Sequence, residues 1–432
     1  MTHQLTQHKS FNRRSMLKMG MLGSAGLSLA EFLQLSEAGE VQSPRSQAAI
    51  MIELTGGPSH LESFDPKPKA DADARGEYQA IQTNVPGLEI CEHLPRLAKL
   101  ADLFTVVRGI THNLADHRLG RDYVLTGNRP QQALQFPGFG SVVSRELKVP
   151  EDVLPFIAIP TTKQRSGYLG SRYSAVDTLT RPKSANAISL RGFSFKSPDA
   201  LLELKRRRSL KSELDNAFSG FEKQNDLLSS LDQFSRQAFE IISSDRTRKA
   251  LDLGKEPSEI LDNFGKSEFD YSCLLATRLV EAGTRFVTIE YGDWDTHSDI
   301  FNNLKNESLP NLDSGLAGLF KTLKDKGLYE STAVYVTGEF GRTPKINKTG
   351  GRDHWPKAMF SILAGGAFKA GQVVGATDQN GAAPTEMEMS PADMAATFYH
   401  VLGIDSKKEY QTPTGRTLKI VRNGSVIPEL IS

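Results

Sequence analysis

The feature that most limits the fold is an alternation along the chain of short apolar runs with segments of helical period. "AAIMIEL", from Ala48, is an apolar run that ends at Gly56-Gly57, as a buried parallel strand does before a turn. "LPRLAKLADLF" then puts Leu94, Leu97, Leu100 and Leu103 on one helical face, and "TVVRGI" follows as a strand. The order recurs: "DYSCLLATRLVEAG" is a helix stopped by Gly283, "TRFVTIEY" a strand, "LDSGLAGLFKTLKDKG" a helix stopped by Gly327, and "TAVYVTG" a strand. Ser390 and Pro391 start a helix in "ADMAATFYHVLG", with Gly403 as its stop. Such units predict an α/β protein with a mostly parallel sheet and helices on both faces. Residues 197–252 break the rhythm with two charged amphipathic helices, read as a helical insertion in one large domain spanning 39–432. The basic run Arg206 to Arg208 there reads as a solvated helix face.

The amino terminus reads as an address. Arg13 and Arg14 precede a modest apolar run from Met19 to Ala30, which resembles a twin-arginine export signal over residues 1–38. The run is too short and too soon interrupted by Glu31 to span a bilayer, and "SEA" at Ser36 to Ala38 offers a cleavage site. The Tat export machinery is thus an expected partner, and the location expected is periplasmic or secreted. The chain carries 52 basic and 51 acidic side chains, so its net charge of +1 gives no reason to expect nucleic acid as a partner. Of the cysteines only Cys91 and Cys273 are present, so any disulfide would join those two.

Ligands of parallel sheets gather at the carboxyl ends of strands. Polar segments fall there: "LTGGPSHLESFD", "THNLADHRLGRD", "GDWDTH" and "TGEFGRTP", with "GGRDHWP" in the loop beyond. They hold His60, His112, His117, His297 and His354, whereas His93 and His400 sit in helical segments. Imidazole with carboxylate is a donor set for zinc and similar divalent ions, leaving calcium and manganese open. In "YGDWDTHSD", Asp293 and His297 are the leading metal candidates, and Asp295 is a weaker one able to orient His297. His354, Asp353 and Glu339 complete the metal set, and His60 is a weaker candidate beside Asp65. His117 could act as general base, metal ligand or nucleophile, or merely be a hydrogen-bonded residue in the first turn of a helix. Arg121 and Arg342 are candidates to grip an anion through a planar guanidinium, or else to pair with Glu339 or Asp122.

The spacing D-x-x-x-H at Asp293 and His297, followed by "LPNLDSGLAGLFKTLKDKGLYESTAVYVTGEFGRTP" and "GRDHWP", resembles the alkaline phosphatase and sulfatase superfamily. Upstream, "HRLGRDYVLTGNRP" is similar to the sulfatase signature at Arg121, Leu125, Thr126, Gly127 and Pro130. "GGPSH", "DPKP", "LTG", "WDTH", "EFGRTP" and "GRDHWP", in this order, resemble the exported family known as domain-of-unknown-function 1501. The resemblance implies an alkaline-phosphatase-like fold and a metal-dependent hydrolase of sulfate or phosphate esters, with a sulfated or phosphorylated carbohydrate as an expected anionic substrate. Departures accompany it: His117 stands where the superfamily carries its nucleophile, and Thr55 or Gly56 stands where it has a metal-binding Asp. Glu339 and Phe340 replace Asp and His in its T-x-D-H element. With no Ser, Thr or Cys nucleophile, hydroxide at the metal would attack directly. The alternative is a non-catalytic extracellular binding protein on the same fold.

Overall fold

A computed structural model describes residues 46–150, 152–185 and 245–432. The export signal, Arg206 to Arg208 and most of the expected insertion lie outside the described residues; its last part is the short helix Asp245–Ala250.

The strands of the central sheet are β1 (Ala48–Leu54), β2 (Phe104–Ile110), β3 (Phe156–Ile159), β4 (Val176–Asp177), β5 (Phe286–Tyr291), β6 (Thr332–Thr337), β7 (Met359–Ala364) and β8 (Gln372–Val374). They form one 8-stranded sheet in the order β8-β2-β7-β6-β1-β5-β3-β4. All pairings are parallel except those of β7, which runs against both β2 and β6. β1 lies in the middle, so its residues are covered from both sides, which is why its run reads as apolar rather than alternating.

The covering helices are α1 (His117–Thr126), α2 (Phe139–Glu146), α3 (Glu268–Glu281), α4 (Leu309–Asp325) and α5 (Pro391–Val401). Side chains alternate across a strand, and two cores result. Ile50, Ile52, Val334 and Val336 pack with Leu274 of α3 and with Leu316 and Phe320 of α4. Ala49, Met51 and Tyr335 face the other way, with Val124 of α1, Phe139 of α2 and Phe398 of α5. The helix starts are chemically marked: Ser267 with Asp270, and Ser390 with Asp393, form capping boxes, and Asp116 accepts a hydrogen bond from Leu119 N at the head of α1. Gly127 ends α1 in the left-handed conformation at φ 68°, a geometry that costs a side-chain-bearing residue steric energy.

The expected helix across Leu94 to Leu103 is broken. Pro95–Ala98 forms one turn and Ala101–Leu103 a 3-10 turn. The Asp313 carboxylate of α4 accepts from Arg96 N and Leu97 N at 3.0 and 2.8 Å, so a distant acid caps this single turn. Cys91 and Cys273 are both buried free thiols in the core that contains α3 and α4.

Candidate functional site

Three loops meet beyond the carboxyl ends of β1, β5 and β6. Gly56-Gly57 follows β1 with φ values of 116° and 81°, which only glycine adopts without strain. The glycines also bring backbones together. A Cβ on Gly56 would lie 2.4 Å from Asp295 N, and one on Gly57 2.5 Å from the Phe340 ring.

Arg342 pins this junction. Its side chain is fully buried; Nε donates to Gly57 O at 2.7 Å and Nη1 to Arg352 O at 2.9 Å. Nη2 reaches Gly56 O, Trp294 O at 3.2 Å and Asp295 Oδ1 at 2.5 Å. A guanidinium can serve several acceptors at once because its donors are fixed in a planar fork. The donors expected to grip an anionic ligand are therefore spent on the protein, and the partner acid is Asp295 rather than Glu339 or Asp122. Burial would raise the Asp295 carboxyl, but the Arg342 hydrogen bond and charge outweigh it and hold the group at about 2. Arg352 is likewise buried and forks onto Glu62 at 2.7 and 3.0 Å, a brace that loop-end motifs do not reveal.

Around Asp295 stand three imidazoles, each with its Nδ1 tied to a partner. His354 Nδ1 donates to Ala115 O at 2.8 Å, since a carbonyl can only accept. His117 Nδ1 lies 2.7 Å from Glu339 Oε1, an oxygen that also accepts from Gly56 N at 3.1 Å. His297 Nδ1 lies 2.8 Å from Asp353 Oδ1, and Asn347 Nδ2 donates to the same oxygen at 3.2 Å. Every Nε2 is then turned inward. His297 Nε2 and His354 Nε2 are 3.0 Å apart, and they lie 3.1 and 3.3 Å from Asp295 Oδ1. His117 Nε2 approaches the other oxygen, Asp295 Oδ2, at 3.3 Å. The ligand atoms of His117, Asp295 and His354 all fall within 4.8 Å of one another.

Electrostatics separates the imidazoles. The Glu339 hydrogen bond raises the proton affinity of His117 against opposing burial, with the Glu339 and Asp295 charges adding to it. Burial lowers that of His354 despite its bond to Ala115 O. The Phe340 ring lies 5.0 Å from His117 and 4.5 Å from His354 and floors both.

The triangle of His297 Nε2, His354 Nε2 and Asp295 Oδ1 has the dimensions of one face of a tetrahedral divalent-ion shell. Bonds of about 2.0 Å in a tetrahedral shell place neighbouring ligand atoms about 3.3 Å apart. The observed edges of 3.0, 3.1 and 3.3 Å fit that face. The tied Nδ1 positions provide the outer hydrogen bonds such ligands require.

The sequence candidates divide accordingly. Asp295, His297, His354 and His117 converge, with Glu339 and Asp353 behind them. Asp293 stands outside the group: it is exposed, its φ is 70°, and it makes no hydrogen bond or ion pair with the group's side chains among the described residues. His60 is buried elsewhere, with Nε2 on Gly381 O at 2.8 Å. Asp65 pairs with Lys67 and Arg108 at 3.1 and 3.2 Å. Arg121 turns toward a 10 Å³ cavity that it shares with Glu53, Thr55 and Glu339. His112, another of the loop histidines, places its Nε2 2.8 Å from Glu339 O and fixes the strand end that carries Glu339.

Fold and site together define an α/β protein with a mostly parallel, doubly covered sheet and a histidine–carboxylate group at its carboxyl edge. The chain belongs to the family described as "Protein of unknown function (DUF1501)", whose model matches residues 46–431. No curated protein matches the chain. Solved structures similar to it include an alkaline phosphatase superfamily protein from Vibrio parahaemolyticus, 11% identical with a TM-score of 0.38, covering 85% of this chain and 68% of that one. Another is the PsFucS1 sulfatase from Pseudoalteromonas sp., 13% identical with a TM-score of 0.35, covering 90% and 72%. A third is Ps i-CgsB in complex with k-i-k-neocarrahexaose, 13% identical with a TM-score of 0.38, covering 83% and 73%.

Proposed function

We propose that this protein is an exported, metal-dependent hydrolase of sulfate or phosphate esters. The observation that carries the metal is the convergence of the His297 and His354 Nε2 atoms, 3.0 Å apart, on the Asp295 carboxylate. Two lone pairs so close repel unless a proton or a metal lies between them.

His297, His354 and Asp295 would hold a divalent ion such as zinc, which supplies Lewis acidity to polarise the ester and acidify water. His117 exchanges a proton at Nε2, facing Asp295, while Glu339 fixes its ring through Nδ1. Arg342 keeps Asp295 ionised. The Phe340 ring limits water beneath His117 and His354. A hydroxyl or thiol nucleophile is missing at the position of His117, so the attacking oxygen in this reading comes from water. Action outside the cytoplasm is part of the proposal and rests on Arg13-Arg14 and the apolar run after them.

The test is elemental analysis of protein purified without chelator, followed by turnover of 4-nitrocatechol sulfate and 4-nitrophenyl phosphate. One metal per chain in wild type, lost in His297→Ala and His354→Ala, with turnover of either ester, supports the reading. Metal without turnover leaves a binding protein on this scaffold. No metal after reconstitution removes the hydrolase.

A further inference from the structure

A cleft lies off the metal group, beside α1. It measures about 390 Å³, within the roughly 300–1,000 Å³ of small-ligand sites. One wall is the α1 face carrying Arg118, Leu119, Asp122, Leu125 and Thr126, whose spacing of three and four residues puts them in line. The other walls are the loops around Gln131–Gln135 and Lys163–Arg165.

Three observations describe what fits there. The walls are preformed: Gly138 N donates to Arg165 O at 2.8 Å, Gly140 N to Gln164 Oε1 at 2.9 Å and Asn128 Nδ2 to Ile420 O at 2.8 Å. Their cations are unspent. Arg118 reaches Asp122 only at 3.9 Å with its side chain 70% exposed, and Lys163 and Arg165 make no ion pair among the described residues. The side-chain amides of Gln131 and Gln132 are also exposed and make no hydrogen bond among the described residues. Three cations face the single acid Asp122 in a chain whose overall charge is +1, so the excess is local.

Guanidinium and ammonium groups take carboxylate or sulfate, and free amides take hydroxyls through paired donors and acceptors. The aromatic side chain in the lining, Phe136, is buried edge-on against Tyr168. The head of α1 is His117 and Arg118 is the next residue, so the cleft and the metal group share one helix. We infer that this cleft binds a carbohydrate segment bearing carboxylate or sulfate groups, and that such an acidic sugar is the leaving-group side of the substrate. The second half of the inference rests on the proposed hydrolase; the first does not.

The experiment is calorimetric titration of the full-length protein in excess EDTA, which keeps the metal group out of the measurement. The probes are a heparin hexasaccharide, the same hexasaccharide desulfated, maltohexaose and a poly-glutamate of equal charge. Binding of the sulfated or the desulfated sugar, with maltohexaose and poly-glutamate at least about tenfold weaker, is expected, and the better of the first two names the anion. Lys163→Ala with Arg165→Ala should weaken that binding about tenfold or more, while Lys407→Ala with Lys419→Ala, an equal charge change at exposed sites, should leave it within about twofold. Equal binding of maltohexaose, equal binding of poly-glutamate, or an unchanged cleft variant would each overturn the cleft assignment. Binding in EDTA by a protein that takes up no metal would overturn the hydrolase alone.

Discussion

His297 Nε2 and His354 Nε2 face each other across 3.0 Å, with both Nδ1 atoms committed to other partners. Two neutral imidazoles cannot share that space without a proton or a metal between them. The competition gives a pH prediction. Burial lowers the proton affinity of His354, so it stays neutral and able to ligate below the ordinary histidine value of about 6.5. Asp295, held at about 2, does not protonate in the working range. Bound metal should therefore survive dialysis at about pH 6.5 and be lost as the pH falls further. Metal content measured after dialysis across this range checks it; release that begins above the ordinary histidine value would contradict the order of protonation.

Arg342→Lys should damage both stability and site. A lysine has three donors and no planar fork, whereas Arg342 serves Gly56, Gly57, Trp294, Arg352 and Asp295 from a fully buried position. Leaving part of that set unpaired should cost roughly 3 kcal/mol in a urea unfolding series. The loops after β1 and β5 would also lose their shared anchor, so metal retention should fall in the same variant. Unfolding and metal content that both match wild type would show that the clamp is dispensable.

The scaffold was legible because it rests on local pattern: apolar runs, glycine stops, and Ser-Pro and Asp starts recur at β1, α3, α4 and α5. The site was legible only as a set of loops. Spacing favoured Asp293 with His297, but Asp293 takes φ 70° and turns outward, while Asp295 is drawn in by Arg342. That attraction depends on Gly56 and Gly57, which lie far away in sequence, so local spacing carries no trace of it. Glu53 was hidden differently: one acid inside "AAIMIEL" reads as noise in an apolar run, although it is buried at the centre of the sheet. Arg121 matched a signature, and its placement beside Glu53 follows from tertiary packing alone.

Gly56→Ala tests the close approach of the two loops. The added Cβ would meet Asp295 N at 2.4 Å and Trp294 C at 2.8 Å, on a residue whose φ is 116°. Backbone must move, and Asp295 moves with it. We expect a loss of at least about 2 kcal/mol in stability together with weakened metal retention. Gly87→Ala is the control: its φ is 81° but nothing lies within 4 Å of the added atom, so only the backbone strain of about 1 kcal/mol should appear, with metal unaffected. Equal effects of the two substitutions would mean that strain, not loop contact, governs the site.

Glu53 sets a pH dependence unrelated to the metal. Burial pushes its carboxyl up to about 7 against the hydrogen bonds from Gln164 and Thr162, the Glu290 charge adds to the rise, and Arg121 opposes it. The unfolded chain titrates this group near its ordinary value of 4.5. Between those two pH values the folded state binds more protons, so this contribution is fully present at low pH and is lost as the pH rises through about 7. The total is roughly 3 kcal/mol. Glu53→Gln keeps the shape and the acceptor for Gln164 Nε2 and Thr162 Oγ1, at 2.8 and 3.0 Å, but cannot ionise. The variant should match wild type at about pH 4.5 and exceed it by roughly 1–3 kcal/mol at about pH 8. Urea unfolding at the two pH values decides the matter: a constant difference between the proteins would mean that Glu53 already ionises in the fold at its ordinary value, with Arg121 compensating the buried charge.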